Sequence, residues 1–321
     1  MQYLLLGKTG LRVSRIALGT AAFGLPAYGI QGPNEHAVLS ETDAIKLVRA
    51  SCEQGINFFD TARGYGESEA ILGRGLAGCN SSVVATKVGV PDPSGNNSHR
   101  LNDAVMGSLE ASLCALRRDV LDLVQIHNAT AKDLGAGEIL TVLERARDQG
   151  KVRFIGASVY GEDAALAAIR SESVDVLQIA INLLDQRMMN RVLPEAKKAN
   201  VGVIARSALL KGALTERAKL LPPKLRALTD AASRTRETLG ETWESLPRAA
   251  LRFCLSVAGV HSVLVGLKTL SELPEAMAAE TEGPLSSASM SKTSALTLHD
   301  EDLLNPAHWP IPETSPEKVE W

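Results

Sequence analysis

A series of short apolar runs ends in residues that can carry a proton or hold a charge. INFF ends in Asp60, VVAT in Lys87, LVQI in His127, FIGA in Ser158 and VGVIA in Arg206, and SVLVGL is followed by Lys268. Tyr65 stands five residues beyond Asp60. One polar residue at the end of an apolar run is unremarkable. A carboxylate, an amine and an imidazole on three consecutive runs can converge on one spot. Beside them a phenol, ordinarily titrating near ~10, is a poor acid at neutrality. A nearby ammonium favours the tyrosinate and should lower that pKa. The carboxylate would orient the amine, and the imidazole could donate to an oxygen that gains charge.

The elements that must position these groups follow from the pattern between them. Helix-like SETDAIKLVRASCEQG leads into INFFDTA, SEAILGRGLAG into SVVATKV, LNDAVMGSLEASLCALR into LDLVQIH, and AGEILTVLERARDQGK into VRFIGASV. GEDAALAAIRSE then leads into VDVLQIAIN, RMMNRVLPEAKKAN into VGVIARSA, and SLPRAALRFCLSVAG into SVLVGL. Non-alternating, β-branched strands separated by amphipathic helices predict a parallel sheet covered by helices. Eight strands, counted from Arg15–Thr20, fit an α/β fold of the (β/α)₈ TIM-barrel type, with a doubly wound open sheet as the alternative. In a barrel the strand C-termini, where the polar residues stand, form one face. Gln178 and Asn182, at even spacing, should share a face of the sixth strand. YLLLGKTGLRVS predicts an N-terminal hairpin, and the proline-rich segment from about Glu301 predicts a tail over the barrel. No composition shift divides the 321 residues, so residues 1–321 read as one domain. The connections 21–40 and 209–244 are long enough to be lids or binding loops.

Composition bounds the partners. A net charge of −3 argues against a general nucleic-acid binder, and no run of ~18 apolar residues offers a membrane span. The N-terminal apolar run is too short for a signal peptide, so the expected location is cytoplasmic. Cys52, Cys79, Cys114 and Cys254 show no CxxC or zinc spacing and read as reduced core thiols. No metal site is expected. Gly73–Gly78 matches GxGxxG, but a helix precedes it and a strand follows, the reverse of a dinucleotide-binding turn. It reads as a helix C-terminus stopped by glycines. A monomer is the default expectation.

The motifs GKTGLRVS, GINFFDTARGYGESEAILGRGL, VVATK, LDLVQIH, GKVRFIGAS and SVLVGLKTLSEL make the chain resemble the aldo-keto reductase family over nearly its whole length. FGLPAYGI, GASVYG and ARSALLKGAL are similar to a bacterial branch with sugar-related members. The resemblance implies a catalytic tetrad of Asp60, Tyr65, Lys87 and His127, with Tyr65 donating the proton as a nicotinamide hydride reduces a carbonyl. It implies cofactor contacts from Ser158, Gln178, Arg206, Ser207, Leu209, Gly212, Gly266, Lys268 and Glu272. Val159 stands where the family often has Asn, and Ala276 replaces a common Asn. Lys268 suits a ribose 2′-phosphate and favours NADP(H). Glu272, where relatives often carry Arg or Gln, would repel that phosphate and keeps NAD(H) open. Phe23, Tyr28, Arg63, Asn128, Trp309 and the loop 88–100 are the substrate candidates. Few aromatics and several polar loops suit a sugar or another small hydroxy-carbonyl, oxidised or reduced. The alternative is a non-catalytic nicotinamide-sensing protein on the same fold.

Overall fold

In a computed structural model, which describes residues 1–26, 28–32, 39–79, 81–90 and 98–310, the eight apolar runs close into a parallel barrel. Its strands are β3 (Ile16–Gly19), β4 (Phe58–Asp60), β5 (Val83–Gly89), β6 (Leu121–His127), β7 (Val152–Ser158), β8 (Val176–Ala180), β9 (Gly202–Arg206) and β10 (Ser262–Gly266). β10 pairs with β3, which leaves no free edge. The open doubly wound sheet is thereby excluded. The predicted hairpin is β1 (Tyr3–Leu5) and β2 (Arg12–Ser14), paired antiparallel.

Among the described residues the α-helices are α1 (Ala21–Gly24), α2 (Glu41–Glu53), α3 (Ser68–Gly75), α4 (Ser98–Leu116), α5 (Ala131–Ala136), α6 (Glu138–Asp148) and α7 (Glu162–Arg170). They continue as α8 (Val192–Lys198), α9 (Arg226–Leu239), α10 (Leu246–Ser256), α11 (Glu272–Thr281), α12 (Ser287–Thr293) and α13 (Glu301–Leu304). None of the described helices is long and apolar enough to cross a membrane. α9 lies in the long connection after β9, and the end of the described tail buries Trp309.

Two apolar layers result. The outer one lies between strands and helices and takes in Leu47, Leu72, Leu109, Leu143 and Phe253. The inner one fills the barrel with Ala17, Phe58, Ala85, Leu123, Val176 and Ile204, and the hairpin closes it with Leu6, Leu11 and Val13. The hairpin therefore plugs the end away from the polar strand termini, which leaves the other mouth open.

Two sequence expectations change. β8 ends at Ala180, so Asn182 is not a strand residue; its Oδ1 accepts from the backbone N–H groups of Leu184 and Asp185, both at 2.9 Å, and so holds a turn. Among the cysteines only Cys254 is a fully buried core thiol; Cys52 and Cys79 are partly exposed and Cys114 is exposed.

Candidate active site

The barrel register sets the polar strand ends side by side. Asp60 pairs with Ala85, Lys87 with Gln125 and Gly89 with His127, His127 with Ser158, and Ser158 with Gln178. Because side chains alternate, Asp60, Lys87, Gln125, His127 and Gln178 all turn into the barrel mouth. Lys87 Nζ donates to Asp60 Oδ1 and, at 2.9 Å, to the carbonyl of Thr61. Two buried amides, Gln125 Nε2 and Gln178 Nε2, each donate to Asp60 Oδ2 at 2.8 Å. Asp60 thus accepts from an ammonium and two amides, which answers the cost of burying a carboxylate.

Tyr65 reaches this cluster from a loop. Thr20, Thr61 and Ser68 are fully buried; the Ser68 hydroxyl lies 2.7 Å from Thr20 Oγ1 and 3.0 Å from Thr61 Oγ1. This hydroxyl cluster ties both ends of the loop 61–68 to the end of β3. The loop also packs directly on α1. A Cβ on Gly24 would fall 1.8 Å from the Tyr65 carbonyl oxygen, so only glycine permits this approach. The Tyr65 ring then lies 5.1 Å from Lys87 Nζ and edge-on to the His127 ring, centroids 5.8 Å apart.

Electrostatics revise the expectation for Tyr65. Burial pushes the phenol above its ordinary value, the charge of Asp60 adds to this, and Arg206 opposes it. The proton is held, not loosened. Burial, with Lys87 and Arg206 nearby, keeps His127 well below its usual range, so its imidazole is neutral. Burial also lowers Lys87, against the raising effect of Asp60.

A cleft leads away from this cluster. Tyr65, His127, Asn128, Ser158, Gln178, Arg206, Ser207, Leu209, Gly212, Gly266, Lys268, Glu272 and Tyr28 all line it. Sequence reasoning missed Lys211 and Arg217, which line it too; Tyr160, expected after the fifth strand near the nicotinamide, also lines it, and its ring carries the Arg206 guanidinium at 4.0 Å. The segment Ser207–Gly212 takes left-handed backbone at Ser207, Leu210, Lys211 and Gly212, which turns it over the mouth. Glu272 Oε2 accepts from the backbone N–H groups of Lys268 (2.6 Å) and Thr269 (3.3 Å). Gln178, foreseen as a cofactor contact, spends its amide N–H on Asp60; its Oε1 has only a long 3.4 Å contact with the Ser158 hydroxyl.

Three substrate candidates fall outside the cleft lining. Phe23 is buried in α1. Arg63 donates to the buried Glu69 at 3.2 Å, whose other oxygen accepts from Thr86. Trp309 is buried and donates to the Leu303 carbonyl; Pro306 and Ala307 of the tail reach the cleft in its place. Of the loop 88–100, residues 91–97 lie outside the described residues.

Comparison with known proteins agrees with this geometry. The model of the Aldo/keto reductase family matches residues 15–297. L-galactose dehydrogenase of Arabidopsis thaliana is 31% identical over 296 residues, covering 86% of this chain and 87% of the relative. The 6-dehydroglucose reductase of Novosphingobium aromaticivorans is 33% identical over 261 residues, covering 74% and 80%. The holo form of aldo-keto reductase AKR11C1 from Bacillus halodurans superposes with a TM-score of 0.76 at 23% identity, covering 96% of this chain and 99% of that one; at that identity the likeness speaks for the fold.

Proposed function

The chain belongs to the aldo/keto reductase family, oxidoreductases acting on aldehydes and sugars, and on that premise we propose that it transfers a hydride between a nicotinamide dinucleotide and a small sugar or hydroxy-carbonyl. The observation that carries this reading is the meeting of Asp60, Tyr65, Lys87 and His127 at the head of a cleft long enough to reach Lys268 and Glu272. The cleft fits such a cofactor by its donor set. Ser158 and Gln178 Oε1 offer a hydroxyl and an acceptor to a carboxamide, and Lys211, Arg217 and Lys268 offer cations to phosphates.

When bound, the cofactor supplies or accepts the hydride. The residues of the chain do the rest. His127, neutral, keeps a ring N–H to donate to the carbonyl oxygen and stabilise charge there as it develops. Tyr65, fully protonated near neutrality, gives its proton to that oxygen. Lys87 stands beside the phenolate so formed, and Asp60 with its amide donors holds Lys87 in place. In the oxidative direction the same groups act in reverse.

On cofactor preference we propose the reverse of the expectation above. A negative Glu272 on the N–H groups of Lys268 and Thr269 occupies the donors a 2′-phosphate would seek, while it can accept from a 2′-hydroxyl. We therefore favour NAD(H) over NADP(H). Sugar relatives and the polar lining from Tyr28, Asn128 and Arg206 support a polyhydroxylated substrate. Fluorescence titration with NADH and NADPH, followed by a sugar and aldehyde panel with the tighter one, tests both points. Tighter NADH binding and turnover of sugars support the reading; at least tenfold tighter NADPH, or no turnover across the panel, contradicts it.

A further inference from the structure

The glycine motif Gly73–Gly78 and the partly exposed cysteines take no part in the site above, yet they meet at the other end of the barrel. Gly75, in the last turn of α3, lies against α2: a Cβ there would sit 2.9 Å from Val48 Cβ. The two helices pack closer than a larger residue allows. Beyond α3 the chain turns through Gly78 at φ +90°, a left-handed position that suits glycine. That turn delivers Cys79 to Cys52, in the last turn of α2. Both line one surface pocket with Arg49, Asn57, Ser81 and Ser82. Asn57 and Ser82 immediately precede β4 and β5, so the pocket opens at the N-terminal ends of the strands, remote from Tyr65. Both cysteines are free thiols, they face one pocket, and Cys79 is near enough to act on the Cys52 thiol.

We propose that Cys52 and Cys79 form a redox-sensitive pair that closes to a disulfide on reaction with a low-molecular-weight disulfide, clamping α2 to α3. In the first step the Cys79 sulfur attacks the small disulfide. A protein–small-molecule S–S bond forms, the original S–S bond breaks, and the Cys79 proton ends on the released thiol. In the second step the Cys52 sulfur attacks Cys79 in that mixed disulfide, its proton leaving with the second small thiol. The protein loses two electrons and two protons, and the small disulfide becomes two thiols. Burial and the neighbouring Cys79 push the Cys52 thiol up to about 12. Cys52 therefore stays protonated near neutrality, and the first attack falls to Cys79. Cys254, buried and donating to the Ile181 carbonyl, stays out of reach, while Cys114 is exposed and would take a mixed disulfide independently.

The test uses the full chain carrying Cys114→Ser, treated with oxidised glutathione. Intact mass should fall by two hydrogens with no glutathione adduct, and peptide mapping should find Cys52 linked to Cys79. The linked protein should melt about 5 °C higher than the reduced one, from closure of the intervening loop. Adding Cys52→Ser should instead leave one glutathione trapped on Cys79. Glutathione adducts without a Cys52–Cys79 link, thiols that remain unreacted, or a link with no rise in melting temperature would each overturn the proposal.

Discussion

Gln125 shows how single residues carry this site. It is fully buried, and its Oε1 has no hydrogen-bond partner among the described residues, an arrangement that costs about 1–3 kcal/mol. Its amide N–H is directed at Asp60, and that is the physical reason to keep a glutamine there. Gln125→Leu should lower kcat on the order of tenfold by loosening Asp60 under Lys87, with the dissociation constant for cofactor unchanged, as steady-state kinetics and fluorescence titration would show. An unchanged kcat would remove Gln125 from the account. Glu272 is the residue on which the proposed cofactor choice rests. Glu272→Gln removes the negative charge facing a 2′-phosphate, and the ratio of kcat/KM with NADPH to that with NADH should rise at least tenfold. A ratio that stayed put would mean that the carboxylate does not discriminate.

At the scale of elements, the hydroxyl cluster of Thr20, Thr61 and Ser68 and the bare face of Gly24 hold the loop that carries Tyr65. Gly24→Ala forces a Cβ into the Tyr65 carbonyl. The loop must move, so kcat should fall more than tenfold while far-UV circular dichroism keeps the barrel signal; a fully active Gly24→Ala would refute the positioning role of α1. Much of this was legible in the sequence, because polar residues that end apolar runs mark strand C-termini directly. Gln125 was hidden inside such a run, although its i, i+2 spacing to His127 is a period-two signal that could have found it. Nothing in the sequence singles out Glu69, and only the fold buries it beside Thr86 and Arg63. Cys52 and Cys79 are far apart in sequence, and their meeting depends on how α2 packs on α3. The direction of the Tyr65 shift was not legible either: the sequence places Lys87 nearby, but burial outweighs that charge.

For the whole molecule, the barrel separates a stability end from a chemistry end. Leu6 of the hairpin is fully buried in the inner core. Leu6→Ala should cost about 3 kcal/mol, read as a lower thermal midpoint with kcat retained; loss of kcat at unchanged stability would break the division between the two ends. Buried His127 and half-buried His261 give the fold a pH dependence. His127 and His261 both titrate below their ordinary value of 6.5 in the folded chain, chiefly through burial. Below that pH the unfolded chain takes up protons that the folded chain refuses, so stability falls as pH drops from about 6.5. The slope of unfolding free energy against pH in this range should shrink in His127→Gln; an unchanged slope would mean that His127 is not held neutral.

In the proposed chemistry Tyr65 gives the proton to the substrate oxygen while its neighbours only hold and polarise. The direct measurement is turnover and cofactor affinity of Tyr65→Phe, which keeps the ring but lacks the hydroxyl. The expected outcome is that kcat falls by at least a thousandfold while NADH binds within about twofold of the native affinity. Turnover near the native rate in Tyr65→Phe, with cofactor still bound, would contradict it.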